Sequence, residues 1–117
     1  MLVKEIVDIL NAKEIYVARD DIYEKNYNKG FSSDLMSDAL MLLKDEVEDV
    51  LFITGLVNVQ SLRTAEVLDL ETIIFVRGKA FDESIIDTAK SLHINLFQTT
   101  DTMFETCGKL YEKGMRR

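Results

Sequence analysis

Leu2, Val3, Ile6, Val7 and Leu10 recur at three- and four-residue spacing, the stripe of an amphipathic helix that ends near Asn11 and covers one face of a sheet. Glu14 to Ala18 then reads as a strand, with Ile15 and Val17 facing one way and Tyr16 the other. Arg19 to Ser33 is rich in charge, Asn, Tyr and Gly and fits neither period. It exceeds the usual connection of about two to eight residues, which predicts a functional or interface loop. Within it, Tyr27 and Phe31 have two readings, anchors to the core or contacts to a partner. Ser33-Asp34 offers an N-cap and a first-turn acid for a second helix, on which Leu35, Met36, Ala39, Leu40, Leu42 and Leu43 form a broad apolar face. Met36 and Met41 are assigned to core packing.

From Val50 onward the pattern becomes regular. Val50-Leu51-Phe52-Ile53 and Ile73-Ile74-Phe75-Val76 are short unbroken apolar runs, the pattern of strands covered on both faces, with one helix-length amphipathic stretch between them. Strands starting near Val50, Thr72 and Ile94 are spaced 22 residues apart and alternate with helices over Asn58 to Leu68, Asp82 to Leu92 and Thr102 to Lys113. Thr102 with Glu105 makes a capping box, and Gly114 suits the cap at the other end. Strands joined by helical crossovers pair in parallel, so the expectation is one α/β domain over residues 1–117, with a mainly parallel sheet of four or five strands and helices packed on it.

Composition narrows the function classes. A 47% apolar and 30% charged chain of 117 residues has enough material for one core and no disordered tail. Its formal charge of −7, with no basic stripe, argues against a nucleic-acid surface. No apolar stretch approaches the roughly 18 residues of a membrane span, and the start of the chain does not look like a signal peptide, so a cytoplasmic location is expected. Cys107 is the only cysteine and His93 the only histidine, which disfavours a disulfide or a structural metal, and no cofactor is expected. His93 reads as a left-handed cap after a helix, and Cys107 as a buried thiol on the apolar side of the last helix with Met103, Phe104, Leu110 and Tyr111. Gly108, in mid-helix, predicts close approach of a neighbouring helix or a second subunit.

If all strands are parallel, their carboxyl ends gather Arg19-Asp20, Thr54-Gly55, Arg77-Gly78-Lys79 and Gln98-Thr99-Thr100 at one edge, where open α/β sheets bind ligands. Free N–H groups after Thr54-Gly55 attract phosphate or carboxylate, and Arg77 and Lys79 add charge. In the alternative reading Gly55 and Gly78 only permit tight turns while Arg63, Arg77 and Lys79 pair with the abundant acids. There is no dinucleotide glycine fingerprint or phosphate loop, and no spacing singles out an acid and base pair or a triad.

Ser33-Asp34-Leu35-Met36-Ser37-Asp38, Ile53-Thr54-Gly55-Leu56, Arg63-Thr64-Ala65, Phe75-Val76-Arg77-Gly78-Lys79 and Met103-Phe104 with Cys107-Gly108-Lys109-Leu110-Tyr111, taken in order, resemble the DRTGG domain family over about Ser33 to Gly114. Such domains occur as a regulatory region in some phosphotransacetylases, beside nucleotide-binding CBS pairs in certain pyrophosphatases, and as stand-alone copies. The resemblance implies an α/β fold similar to the N-terminal domain of HPr kinase, a tendency to homodimers and no catalysis of its own. It carries over Ser37, Thr54, Gly55, Arg63, Thr64, Arg77, Gly78 and Lys79 as a candidate ligand site or dimer surface. The chain departs from the family name in placing Leu56 after Thr54-Gly55 and in the order Arg19-Asp20. The functions in play are a self-associating regulatory or scaffold domain, a sensor of an anionic metabolite such as a nucleotide, and, with least support, a small enzyme acting on a phosphorylated substrate.

Overall fold

Alternation along the unbroken apolar strands sorts their side chains to two opposite faces, and each face requires its own layer of helices. The computed structural model, which describes residues 1–43 and 49–117, has this arrangement. In chain order it contains α1 (Val3–Leu10), β1 (Lys13–Tyr16), a 3₁₀ turn (Asp20–Glu24), β2 (Lys29–Ser32), α2 (Met36–Leu43), β3 (Val50–Thr54), α3 (Val59–Val67), β4 (Thr72–Phe75), α4 (Glu83–Leu92), β5 (Asn95–Gln98) and α5 (Met103–Glu112). The sheet order is β1-β5-β4-β3-β2. Phe52, Ile73, Phe75 and Leu96 pack with Met36, Leu62, Ala65, Ile85 and Ala89 from α2, α3 and α4. Leu51, Ile53, Ile74, Val76 and Phe97 pack on the other side with Val3, Ile6 and Leu10 of α1, Ile22, and Leu110 of α5.

The expected caps of α1, α4 and α5 are present, but Ser33-Asp34 does not cap α2, which begins two residues later at Met36. Asn11 and His93 take the left-handed conformation after α1 and α4, the Asn58 and Asp82 side chains accept from the amides of Ser61 and Ile85, and Thr102 and Glu105 form the capping box of α5. Gly114, with φ 109°, follows that helix.

Several expectations change. The stretch from Arg19 to Ser33 is not one loop, since it holds the 3₁₀ turn and the edge strand β2. Lys-Gly-Phe-Ser hides a strand because a short edge strand needs few apolar residues. Tyr27 and Phe31 are both buried, so they are anchors: the Tyr27 hydroxyl donates to Thr72 Oγ1 at 2.8 Å, and Phe31 stacks on Phe52 at 6.4 Å. β1 is antiparallel to β5, with Lys13 opposite Gln98. It therefore ends at the amino edge of the other four strands, which is where β2 must begin. An irregularity between Glu14 and Tyr16 breaks the alternation, so Ile15 and Tyr16 pack with one cluster and Val17 with the other.

The helices also differ from expectation in what they bury. On α2 only Met36, Ala39 and Leu43 reach the core, while Leu40, Met41 and Leu42, and Leu35 just before the helix, are exposed. Met41 is therefore not core packing. On α5, Leu110 is buried and Cys107 half-buried, but Phe104 is 88% exposed and Tyr111 is exposed as well. A Cβ placed on Gly108 would meet nothing within 4 Å, so none of the described elements approaches it.

Candidate functional site

The carboxyl ends of β2, β3 and β4 lie side by side because these strands are parallel and in register, Ser32 beside Ile53 and Thr54 beside Phe75. Beyond them the chain turns three times, and one carboxylate ties the turns together. Asp34, two residues past β2, accepts from the Gly55 amide at 2.6 Å and from Thr54 Oγ1 at 3.5 Å. Its other oxygen, Oδ2, accepts from Arg77 Nη1 at 3.0 Å. Arg77 Nη2 also donates to the Gly55 carbonyl at 3.2 Å.

This geometry explains the residue types. Gly55 leaves room for the guanidinium, since a Cβ there would stand 2.1 Å from Arg77 Nη2 and push that end of the arginine side chain away. Arg77 has φ 70° and Gly78 φ 61°, two successive left-handed residues. For arginine that conformation costs about 1 to 2 kcal/mol. It is held by Arg77 N–H to the Asp101 carbonyl at 2.8 Å and Gly78 N–H to the Thr99 carbonyl at 3.0 Å. Thr99 is itself pinned, its hydroxyl donating to the Leu10 carbonyl at 2.8 Å.

Burial pushes the Asp34 carboxyl upward, but the Gly55 amide and the Arg77 guanidinium outweigh it and hold the group below its ordinary range. A depressed folded-state value means that its contribution to stability is fully present above the unfolded value of about 4 and is lost as pH falls through the folded value. Urea unfolding should therefore show a gap between wild type and Asp34→Asn that is constant from about pH 5 to 8 and closes below about pH 4. A gap that persists unchanged in acid would contradict the ion pair.

The residues expected to form one site separate into groups. Thr54, Gly55, Arg77 and Gly78 come together around Asp34. Lys79 is exposed beyond them, and its carbonyl accepts from the Gln98 side-chain amide. Ser37 is exposed in the first turn of α2. Arg63 and Thr64 lie elsewhere, lining a groove between α2 and α3 with Leu40, Val59 and Val67. Arg19-Asp20 does not join the carboxyl edge, because β1 is antiparallel. Arg19 pairs with Glu71 at 3.2 Å, at the opposite edge. There Lys25 bridges Asp49 and Glu71 at 2.9 and 2.8 Å; burial disfavours its charge, but the two carboxylates more than compensate and raise its pKa.

Asp34 is the site member that sequence reasoning missed. Reading it as a first-turn acid placed it on α2, but that helix begins at Met36 and its first-turn acid is Asp38. Recognition of Lys29–Ser32 as a parallel strand would have put Asp34 at the carboxyl edge.

No family model matches the sequence, and no curated protein does. Among solved structures, the CBS and DRTGG domains of the regulatory region of Clostridium perfringens pyrophosphatase, complexed with the activator diadenosine tetraphosphate, match with a TM-score of 0.70 at 17% sequence identity. The match covers 96% of this chain and 49% of that one, so the chain spans about half the length of its structural neighbour. With its five-stranded, mostly parallel sheet between two helical layers, the chain has a DRTGG-like α/β fold.

Proposed function

We propose that this chain is a non-catalytic regulatory domain of the cytoplasm that self-associates as a two-fold dimer through the apolar face of α2 and α3. The observation that carries this reading is α2 itself. Met36, Ala39 and Leu43 occupy its core side, while Leu40, Met41 and Leu42 on it, and Leu35 just before it, are exposed. Ser37 and Asp38 also lie on the outer side, but exposed apolar side chains gathered on and beside one helix mark an interaction surface. Val67, exposed on α3, extends the patch across the groove lined by Arg63 and Thr64. A second copy presents the same unsatisfied face, and two-fold pairing is the commonest way to close it. The homodimers implied by the DRTGG resemblance support the same occupant.

The melting temperature of a dimer that dissociates on unfolding rises with protein concentration, whereas that of a monomer does not. The reading predicts a rise of several degrees over a hundredfold range of concentration. A melting temperature independent of concentration contradicts it.

A second function, sensing of an anionic small molecule at the Thr54 and Arg77 turns, is favoured by a specific observation. An amide, a hydroxyl and a guanidinium converge on one carboxylate there. The solved neighbour is a regulatory region in complex with diadenosine tetraphosphate, which supports a nucleotide or phosphorylated metabolite as the ligand class. Both functions belong to a regulatory domain, and neither requires a cofactor or a nucleic-acid partner.

A further inference from the structure

Asp34 receives what a bound oxyanion requires: the Gly55 amide and Thr54 hydroxyl on one oxygen and the Arg77 guanidinium on the other. Four features of the chain serve this arrangement. Gly55 leaves room for the guanidinium, Arg77 accepts a left-handed backbone, Gly78 continues it, and Thr54 is wholly buried with its hydroxyl on the carboxylate. The carboxylate itself is open to solvent. It comes from the short connection between β2 and α2, and the Asp34 and Arg77 side chains are 44% and 39% exposed, so ions in solution reach the pair. A solvent-accessible ion pair contributes little to stability, about 0 to 1 kcal/mol, and exchange of its anion is correspondingly cheap.

We propose that Asp34 is a built-in occupant of an oxyanion site, and that a phosphate-class anion takes its place on Gly55 N–H, Thr54 Oγ1 and Arg77, releasing the segment that leads into α2. This rests on the sensing function above and adds its regulation: the site is occupied by the chain's own carboxylate until a ligand displaces it. A tethered carboxylate competes at high effective concentration, so only the fraction of molecules with Asp34 withdrawn binds, and the apparent affinity falls by that fraction. Removing the competitor should therefore tighten binding without adding any contact.

The test is calorimetric titration of inorganic phosphate into wild type, Asp34→Asn, Asp34→Ala, and each of the two Asp34 variants combined with Arg77→Gln, with circular dichroism confirming the fold of each. Asparagine retains an acceptor for the Gly55 amide and removes only the charge, while alanine empties the site. The expected result is binding at least about tenfold tighter in Asp34→Asn, tighter again in Asp34→Ala, and loss of the gain when Arg77 is replaced; tenfold corresponds to about 1.4 kcal/mol. Equal phosphate affinity in wild type and both Asp34 variants, abolished by Arg77→Gln, would keep the anion site and overturn the role of Asp34. Binding absent throughout, or indifferent to Arg77, would overturn both. Gly55→Ala provides an independent check, because its Cβ displaces the guanidinium and should lower phosphate affinity in the Asp34→Ala background.

Discussion

Leu40→Glu combined with Met41→Glu should convert the proposed dimer to a monomer at micromolar concentration and leave the fold of each chain intact. In the isolated chain Leu40 is 39% and Met41 67% exposed, so two carboxylates there remain in water and disturb the core of neither face. Glutamate is also a good helix former, and substitutions at exposed sites usually change stability by no more than about 0.5 kcal/mol. The penalty arises only on association, when each carboxylate would have to leave water without a partner. At roughly 2 kcal/mol per group, the four carboxylates that a two-fold pair would bury weaken association by more than about a hundred-thousandfold. Gel filtration with light scattering reads the mass directly. A double variant that remains dimeric would move the interface away from α2. The same pair of substitutions at Phe104 and Tyr111 of α5 then becomes the informative comparison, since that helix carries the other exposed large hydrophobic side chains among the described residues.

Phe52→Ala should have the largest effect on stability. Phe52 is fully buried in β3, between Phe31 of β2 and Ile73 of β4, and its ring stacks on Phe31 with the planes 17° apart. Truncating a core phenylalanine removes its transfer free energy and leaves a cavity that the rigid central strands cannot close, a loss of about 3 to 5 kcal/mol. Domains of this size have total stabilities of about 5 to 15 kcal/mol, so the variant is marginal, and its melting temperature should fall by about 10 °C or more. Phe104→Ala, at the 88% exposed position, serves as the contrast, with a change within about 0.5 kcal/mol. Urea unfolding at one fixed protein concentration compares the two. A Phe52→Ala loss below about 1 kcal/mol would contradict the placement of this ring in the core.

The difference between these two phenylalanines shows how far the sequence could be read. Phe52 lies in an unbroken apolar run, and such a run in a parallel sheet has only one reading, so β3, β4 and β5 and their helices were legible together with their caps. Phe104 and Met41 share helical spacing with buried neighbours, and periodicity alone does not distinguish an apolar face turned to the core from one turned to a partner. β2 was hidden because an edge strand with Gly30 packed beneath Met115 and only Phe31 buried leaves no alternating pattern. That omission carried into the site. Without β2 the connection holding Asp34 had no place at the carboxyl edge, and with β1 assumed parallel Arg19-Asp20 appeared to belong there. Thr54, Gly55, Arg77 and Gly78 were legible because a turn at the end of a buried strand is located by the strand itself. The separation of Arg63 and Thr64 from them depends on which face of α3 meets α2, a matter of tertiary packing that spacing does not encode.

Self-association is the claim on which the regulatory reading depends most, and sedimentation equilibrium of the wild-type chain across micromolar concentrations tests it most directly. The account predicts a mass that converges on twice the 13.4 kDa of the chain as concentration rises. A mass that stays at 13.4 kDa throughout would contradict it.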